Sequence, residues 1–108
     1  MADGPKLEAP IRAVIDATNS GNGQAFMAAF QKDATLSDWG EVHTGRGEIG
    51  KWDRAENSGR GTKLKVTGVS RVMGEVLVLL QVTRDDVTEA GTWAFRLNGK
   101  NVESLDIG

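Results

Sequence analysis

The strongest constraint on this 108-residue chain is a change of hydrophobic period at Lys32-Asp33. Before it, Leu7, Ile11, Val14, Ile15 and Thr18 recur at the spacing that gathers side chains on one face of a helix. Residues from about Pro10 to about Asn19 therefore read as an amphipathic helix, with Pro10 suited to its first turn. Asn19-Ser20-Gly21-Asn22-Gly23 stops it. Asn22 can cap a short second helix, in which Phe26 and Phe30 put two rings on one inward stripe. After the change, Ala34 to Trp39 alternates as a strand does, with Ala34, Leu36 and Asp38 on one face and Thr35, Ser37 and Trp39 on the other.

Gly40 interrupts that strand, and Glu41 to Thr44 is a short extended piece. Gly45-Arg46-Gly47 leads into a third helix, whose inner face is expected to carry Ile49, Trp52 and Ala55 before Ser58-Gly59-Arg60-Gly61 ends it. Extended segments then run from Thr62 to Val72, Val76 to Arg84 and about Gly91 to Leu97, separated by Met73-Gly74-Glu75 and the acidic turn at Asp85-Asp86. Asn98-Gly99 favours a tight hairpin and pairs the third of these with a last strand from Val102 to Ile107. The order α-α-β-α-β-β-β-β defines an α+β fold with an antiparallel sheet. Val76 to Leu80 is apolar at both parities, as in a central strand covered on both faces. Helices cover one side, so a second copy of the chain is expected over the other, forming a homodimer.

Composition narrows the function classes. The length suits one domain over residues 1–108, and 39% apolar with 26% charged residues is ordinary for a soluble globular protein. A formal charge of -2, with no polybasic run, argues against nucleic acid as a partner. Without cysteine there is no disulfide framework, thiolate metal site or cysteine nucleophile. Met1-Ala2-Asp3-Gly4-Pro5-Lys6 lacks the apolar core of a secretory signal, and Val76-Leu77-Val78-Leu79-Leu80 is too short to cross a bilayer. No membrane association and a cytoplasmic location are therefore expected.

The segments Ile11 to Asn22, Phe26 to Phe30, Asp33 to Asp38, Thr44 to Ile49 and Phe95 to Gly99 carry a resemblance across nearly the whole chain. It resembles a nuclear transport factor 2-like domain of the SnoaL-like and ketosteroid isomerase-like branches. The resemblance implies a cone: a curved antiparallel or mixed sheet wrapped around about three helices, the cystatin-like arrangement, often dimeric, with a mouth that holds a small apolar molecule. It also implies lyase, isomerase or cyclase chemistry that needs no cofactor, with Asp38 at the position of the isomerase's general base. The isomerase's two acidic donors are replaced by Val14 and Trp93, so ketosteroid isomerase activity itself is not expected. The indole of Trp93 can still donate one hydrogen bond.

For Asp38 two readings stand. Alternation directs the carboxylate inward, where burial raises its pKa towards that of a usable proton acceptor. Alternatively the strand ends there and the acid bonds backbone amides in the turn at Gly40. His43, the only histidine, titrates in the right range to assist if it faces Asp38, and is otherwise a hydrogen-bonded strand residue. Val14, Phe26, Phe30, Trp52, Trp93, Phe95 and Leu105 are candidates to line an apolar pocket. The same side chains, with Trp39 and Ile49, would equally fill it, leaving a non-catalytic dimerisation or association module.

Other patterns fail on chemistry. Gly45-Arg46-Gly47-Glu48-Ile49-Gly50-Lys51-Trp52 spells G-x-G-x-x-G and approaches a phosphate loop, but Trp52 stands where a magnesium-binding hydroxyl is required, and no parallel crossover unit follows. One histidine and unspaced carboxylates make no metal site, so no metal is expected. Arg60, Lys63, Lys65 and Arg71 read as a solvated face, and no serine stands in a G-x-S-x-G elbow.

Overall fold

The computed structural model describes residues 6–108, so all but the last residue of the N-terminal stretch read above lies outside the described residues. Helices α1 (Ala9–Ser20) and α2 (Gly23–Ala28) precede strands β1 (Phe30–Asp38) and β2 (Glu41–Thr44). Helix α3 (Gly45–Glu56), a 3-10 turn (Ser58–Arg60), and strands β3 (Lys63–Val72), β4 (Glu75–Arg84), β5 (Val87–Asn98) and β6 (Asn101–Ile107) follow. The expected α-α-β-α-β-β-β-β order is present, with Glu41–Thr44 as a strand of its own. Helix α1 has proline in its first turn and ends at Gly21, whose φ of 70° is the left-handed conformation that closes a helix. Asn22 caps α2 by accepting from the Ala25 amide.

The six strands form one curved sheet in the order β2-β1-β6-β5-β4-β3. All neighbours are antiparallel except β1 and β6, which run parallel, so the sheet is mixed. β4 lies next to the edge of this sheet, away from its centre. Two-residue turns at Trp39-Gly40, Met73-Gly74 and Asp85-Asp86 have both φ angles positive, the hairpin geometry that follows the twist of the strands. The last hairpin turns at Gly99-Lys100, one residue later than the Asn-Gly signal implies, because Asn98 pairs with Asn101.

One face of the sheet wraps the helices. Ile11, Val14 and Ile15 of α1, Phe26 of α2, and Ile49 and Trp52 of α3 pack against Leu36, Val78, Trp93, Phe95 and Leu105. Phe30 is drawn into β1 instead of extending α2, yet its ring still meets that of Phe26 at 5.2 Å. On α3 the inner positions are Ile49, Gly50, Trp52 and Asp53, and Ala55 is exposed, a correction to the expected stripe. The buried stripe steps by three and four, and Asp53 fits it because its carboxylate is satisfied internally. Asp53 Oδ1 accepts from Asn57 Nδ2 and the Ser58 amide, Oδ2 accepts from Ser58 Oγ, and Asn57 Nδ2 also reaches Thr18.

Among the described residues no element covers the outer face of the sheet. Val76, Val78 and Leu80 are buried, Leu77 is half-buried, and Leu79 is 45% exposed, so β4 is covered on one face only. Among the described residues no helix is long and apolar enough to cross a membrane.

Candidate functional site

Strand pairing positions the site. Across the sheet, Asp38 lies beside Ile107, Ile107 beside Trp93, and Trp93 beside Val78, so the four form one row on the concave face. The row beneath it is Leu36, Leu105, Phe95 and Val76, all buried. Asp38 is therefore the first polar position on an inward stripe that begins Ala34, Leu36. Beyond this row the β4–β5 hairpin continues to Arg84 and Val87, past the end of β1 and β6, and forms a projecting wall.

Above the row is a cavity of about 500 Å³ at the mouth of the cone. Asp38, Trp93 and Ile107 line it from the sheet, Trp52 and Glu56, one helical turn apart, from α3, and Val82, Arg84, Val87 and Glu89 from the projecting hairpin. Trp39 completes the rim from the β1–β2 turn. Its φ is 50°, a conformation bulky residues rarely adopt, and 81% of its surface is exposed. This corrects the expectation that Trp39 continues the outward alternation of β1: the strand ends at Asp38, and the left-handed turn reverses the chain.

Asp38 is half-buried, and its Oδ2 accepts a 2.9 Å hydrogen bond from Trp52 Nε1. No turn amide donates to its side chain, so the capping arrangement is absent and the inward one is adopted. Oδ1 has no hydrogen bond among the described residues. Trp52 is itself fixed, 5% exposed and packed against Phe26 with ring centroids 6.1 Å apart.

Of the residues expected around a pocket, Asp38, Trp52 and Trp93 meet there. Val14, Phe26, Phe30, Phe95 and Leu105 do not: all five are in the closed core and none lines the cavity. These side chains fill the inner end of the cone, and the open volume lies at its mouth. His43 stands opposite Leu36 on β2, where Nε2 meets Glu41 Oε1 at 3.2 Å, outside the cavity lining. Among the described residues no three His, Asp or Glu side chains gather as metal ligands.

The cavity is more polar than the sequence implies, since Glu56, Arg84 and Glu89 share it with Asp38. Arg84 was within reach of the alternation argument. Val76, Val78, Leu80 and Val82 share its parity, so it ends the inward stripe of β4 much as Asp38 ends that of β1.

No family model matches the sequence, and no curated protein matches it at significance. Solved structures do match. A candidate polyketide cyclase from Sinorhizobium meliloti superposes with a TM-score of 0.85 at 20% identity, over 94% of this chain and 95% of that one. A nuclear transport factor 2-like protein from Cytophaga hutchinsonii gives 0.79 at 14% identity, over 96% and 91%. A candidate ketosteroid isomerase from Kribbella flavida gives 0.78 at 19% identity, over 92% and 73%. At such identities the likeness is one of fold.

Proposed function

We propose that this chain, an α+β cone of the nuclear transport factor 2-like fold, binds a small and largely apolar molecule in the cavity at its mouth, where Asp38 takes a proton from it. The observation that carries this reading is the state of the Asp38 carboxylate. One oxygen is held by Trp52 and the other has no hydrogen-bond partner among the described residues, beside a cavity of about 500 Å³. A half-buried carboxylate oriented in this way is a base awaiting a carbon or oxygen acid. Indoles on three sides provide apolar contact area for rings.

The reaction class is proton transfer without a cofactor, of the isomerase, cyclase or lyase kind. Two of the fold neighbours carry names of that chemistry. Asp38 is its base. His43 is given no role, since it is engaged with Glu41 outside the cavity. Steroid isomerisation through a pair of acidic donors is not proposed, because Val14 is closed inside the core.

The test is a titration of tryptophan fluorescence with a panel of cyclic ketones, phenols and steroids. Trp39, Trp52 and Trp93 all line the cavity, so an occupant must quench or shift their emission. A panel with no response at millimolar concentration ends the binding reading.

A second reading, association without catalysis, draws on the outer sheet face, where Leu79 is 45% exposed beside the half-buried Leu77. Light scattering over a concentration series tests it: a homodimer doubles the mass and Leu79→Lys returns it to the monomer, whereas a mass constant at the monomer value rejects it.

A further inference from the structure

We propose that Arg84 is the anion-holding residue of the cavity, and that the ligand is a carbonyl compound whose enolate oxygen the guanidinium receives as Asp38 removes the neighbouring proton. This deepens the reading above and rests on it. A base that takes a proton from carbon leaves an electron pair behind. Inside a cavity this pair needs a donor already in place.

Three observations single out Arg84. It is the cation among the residues lining the cavity. Its orientation is set from behind: Nε donates a 3.0 Å hydrogen bond to Thr62 Oγ1, and Thr62 is fully buried with its own amide bonded to the Asn57 carbonyl. Finally, no carboxylate among the described residues lies within salt-bridge distance of it. Asp85, next in the chain, instead meets Arg60 at 2.6 Å, and Glu56 meets Arg60 at 3.5 Å. Among the described residues the Nη groups, the fork that receives an oxyanion, thus have no hydrogen-bond acceptor.

The step balances without an oxidant or reductant. The C–H bond beside the carbonyl breaks and its proton passes to Asp38 Oδ1. The C–H pair becomes the new C=C bond, and the carbonyl π pair moves to oxygen, where Arg84 holds the charge. Return of the proton to another carbon completes an isomerisation. Attack of the same carbon on a second carbonyl closes a ring.

The probe is 2-naphthol, whose ionised form places an enolate-like oxygen on a rigid apolar body, with 2-methoxynaphthalene as a control that cannot ionise. Indole quenching measures binding of both, and the naphtholate absorption band measures the ionised fraction of bound naphthol against pH. Asp38, Glu56 and Glu89 all oppose a bound anion, so a fall in the pKa of the bound probe requires Arg84. Bound naphthol is expected to ionise about one unit below its free value, equal to about tenfold tighter binding of the anion. Arg84→Met abolishes that shift and leaves the methoxy control bound as before, and Arg84→Lys restores part of it. If the control binds and naphthol shows no downward shift, or Arg84→Met retains the shift, the role of Arg84 is overturned while the cavity stands. If neither compound binds the parent protein, both proposals fall.

Discussion

Trp52 Nε1 and Asp38 Oδ2 are joined by a 2.9 Å hydrogen bond that ties the middle of α3 to the last residue of β1. It commits one oxygen of a carboxylate that lines the cavity. Trp52→Phe keeps most of the buried ring and removes the donor. Unfolding in urea should show a loss of about 1.5–3 kcal/mol, the range for a hydrogen bond to a charged acceptor. Coupling between Trp52→Phe and Asp38→Ala in a double-mutant cycle isolates this bond from the packing of the ring, because each change removes one of its partners.

Asp38→Asn retains an acceptor for Trp52, so its folding free energy should stay within about 1 kcal/mol of the parent. As a base it is lost. Deuterium exchange at the carbon beside the carbonyl of a bound ketone, followed by NMR, should slow by about 10²-fold or more. Exchange at the parental rate would remove Asp38 from the chemistry.

The buried cluster at the end of α3 is the second place where a small change should have a large effect. Asp53→Ala leaves Asn57 Nδ2 with one partner fewer and the Ser58 amide and hydroxyl without their acceptor, all in a buried setting. A loss of about 3 kcal/mol is expected in chemical denaturation. Gly59→Ala should cost about 1–3 kcal/mol by a different route, because its new Cβ would collide with the Arg54 carbonyl oxygen and force the backbone apart.

Acid dependence should be visible at the N-terminal edge of α1. Arg71 donates to both carboxylate oxygens of Glu8, at 2.8 and 3.2 Å, and these bonds hold the Glu8 pKa below the usual glutamate value. A depressed folded pKa means stability that is complete above the unfolded pKa and is lost as pH falls through the folded one. The difference in thermal midpoint between the parent and Glu8→Gln should be small and constant from neutral pH to about pH 5, then vanish under stronger acid. A difference that grew on acidification would contradict the pairing.

Much of the architecture was readable from the chain because its causes are local. The change of period after Lys32-Asp33 separates helices from sheet, and Gly21, Asn22 and the turns near Gly40, Gly74 and Gly99 punctuate the elements with little help from distant contacts. Alternation also pointed Asp38 inward, and the same rule applied to Val76 through Val82 would have found Arg84. The failures have one origin: the chain does not say how far an element runs before packing or turn geometry overrides its pattern. Phe30 changed from helix to strand because its ring reaches the core from either, and Ala55 gave way to Asp53 because Asn57 and Ser58 satisfy a buried carboxylate.

The amino-acid order by itself determined the order of helices and strands and offered Asp38 as either the inward end of the β1 stripe or a turn cap, because period and turn chemistry act within a few residues; the hydrogen bond from Trp52 decided between the two. Tertiary structure alone decided which aromatic rings close the core and which border open space. That choice depends on register: the parallel pairing of β1 with β6 sets Asp38 beside Ile107 and Trp93, and β4 and β5 outrun them to build the far wall. Residues 84 and 38, 46 positions apart in the chain, share one cavity only because the sheet curves, and curvature is a property of the assembled strands.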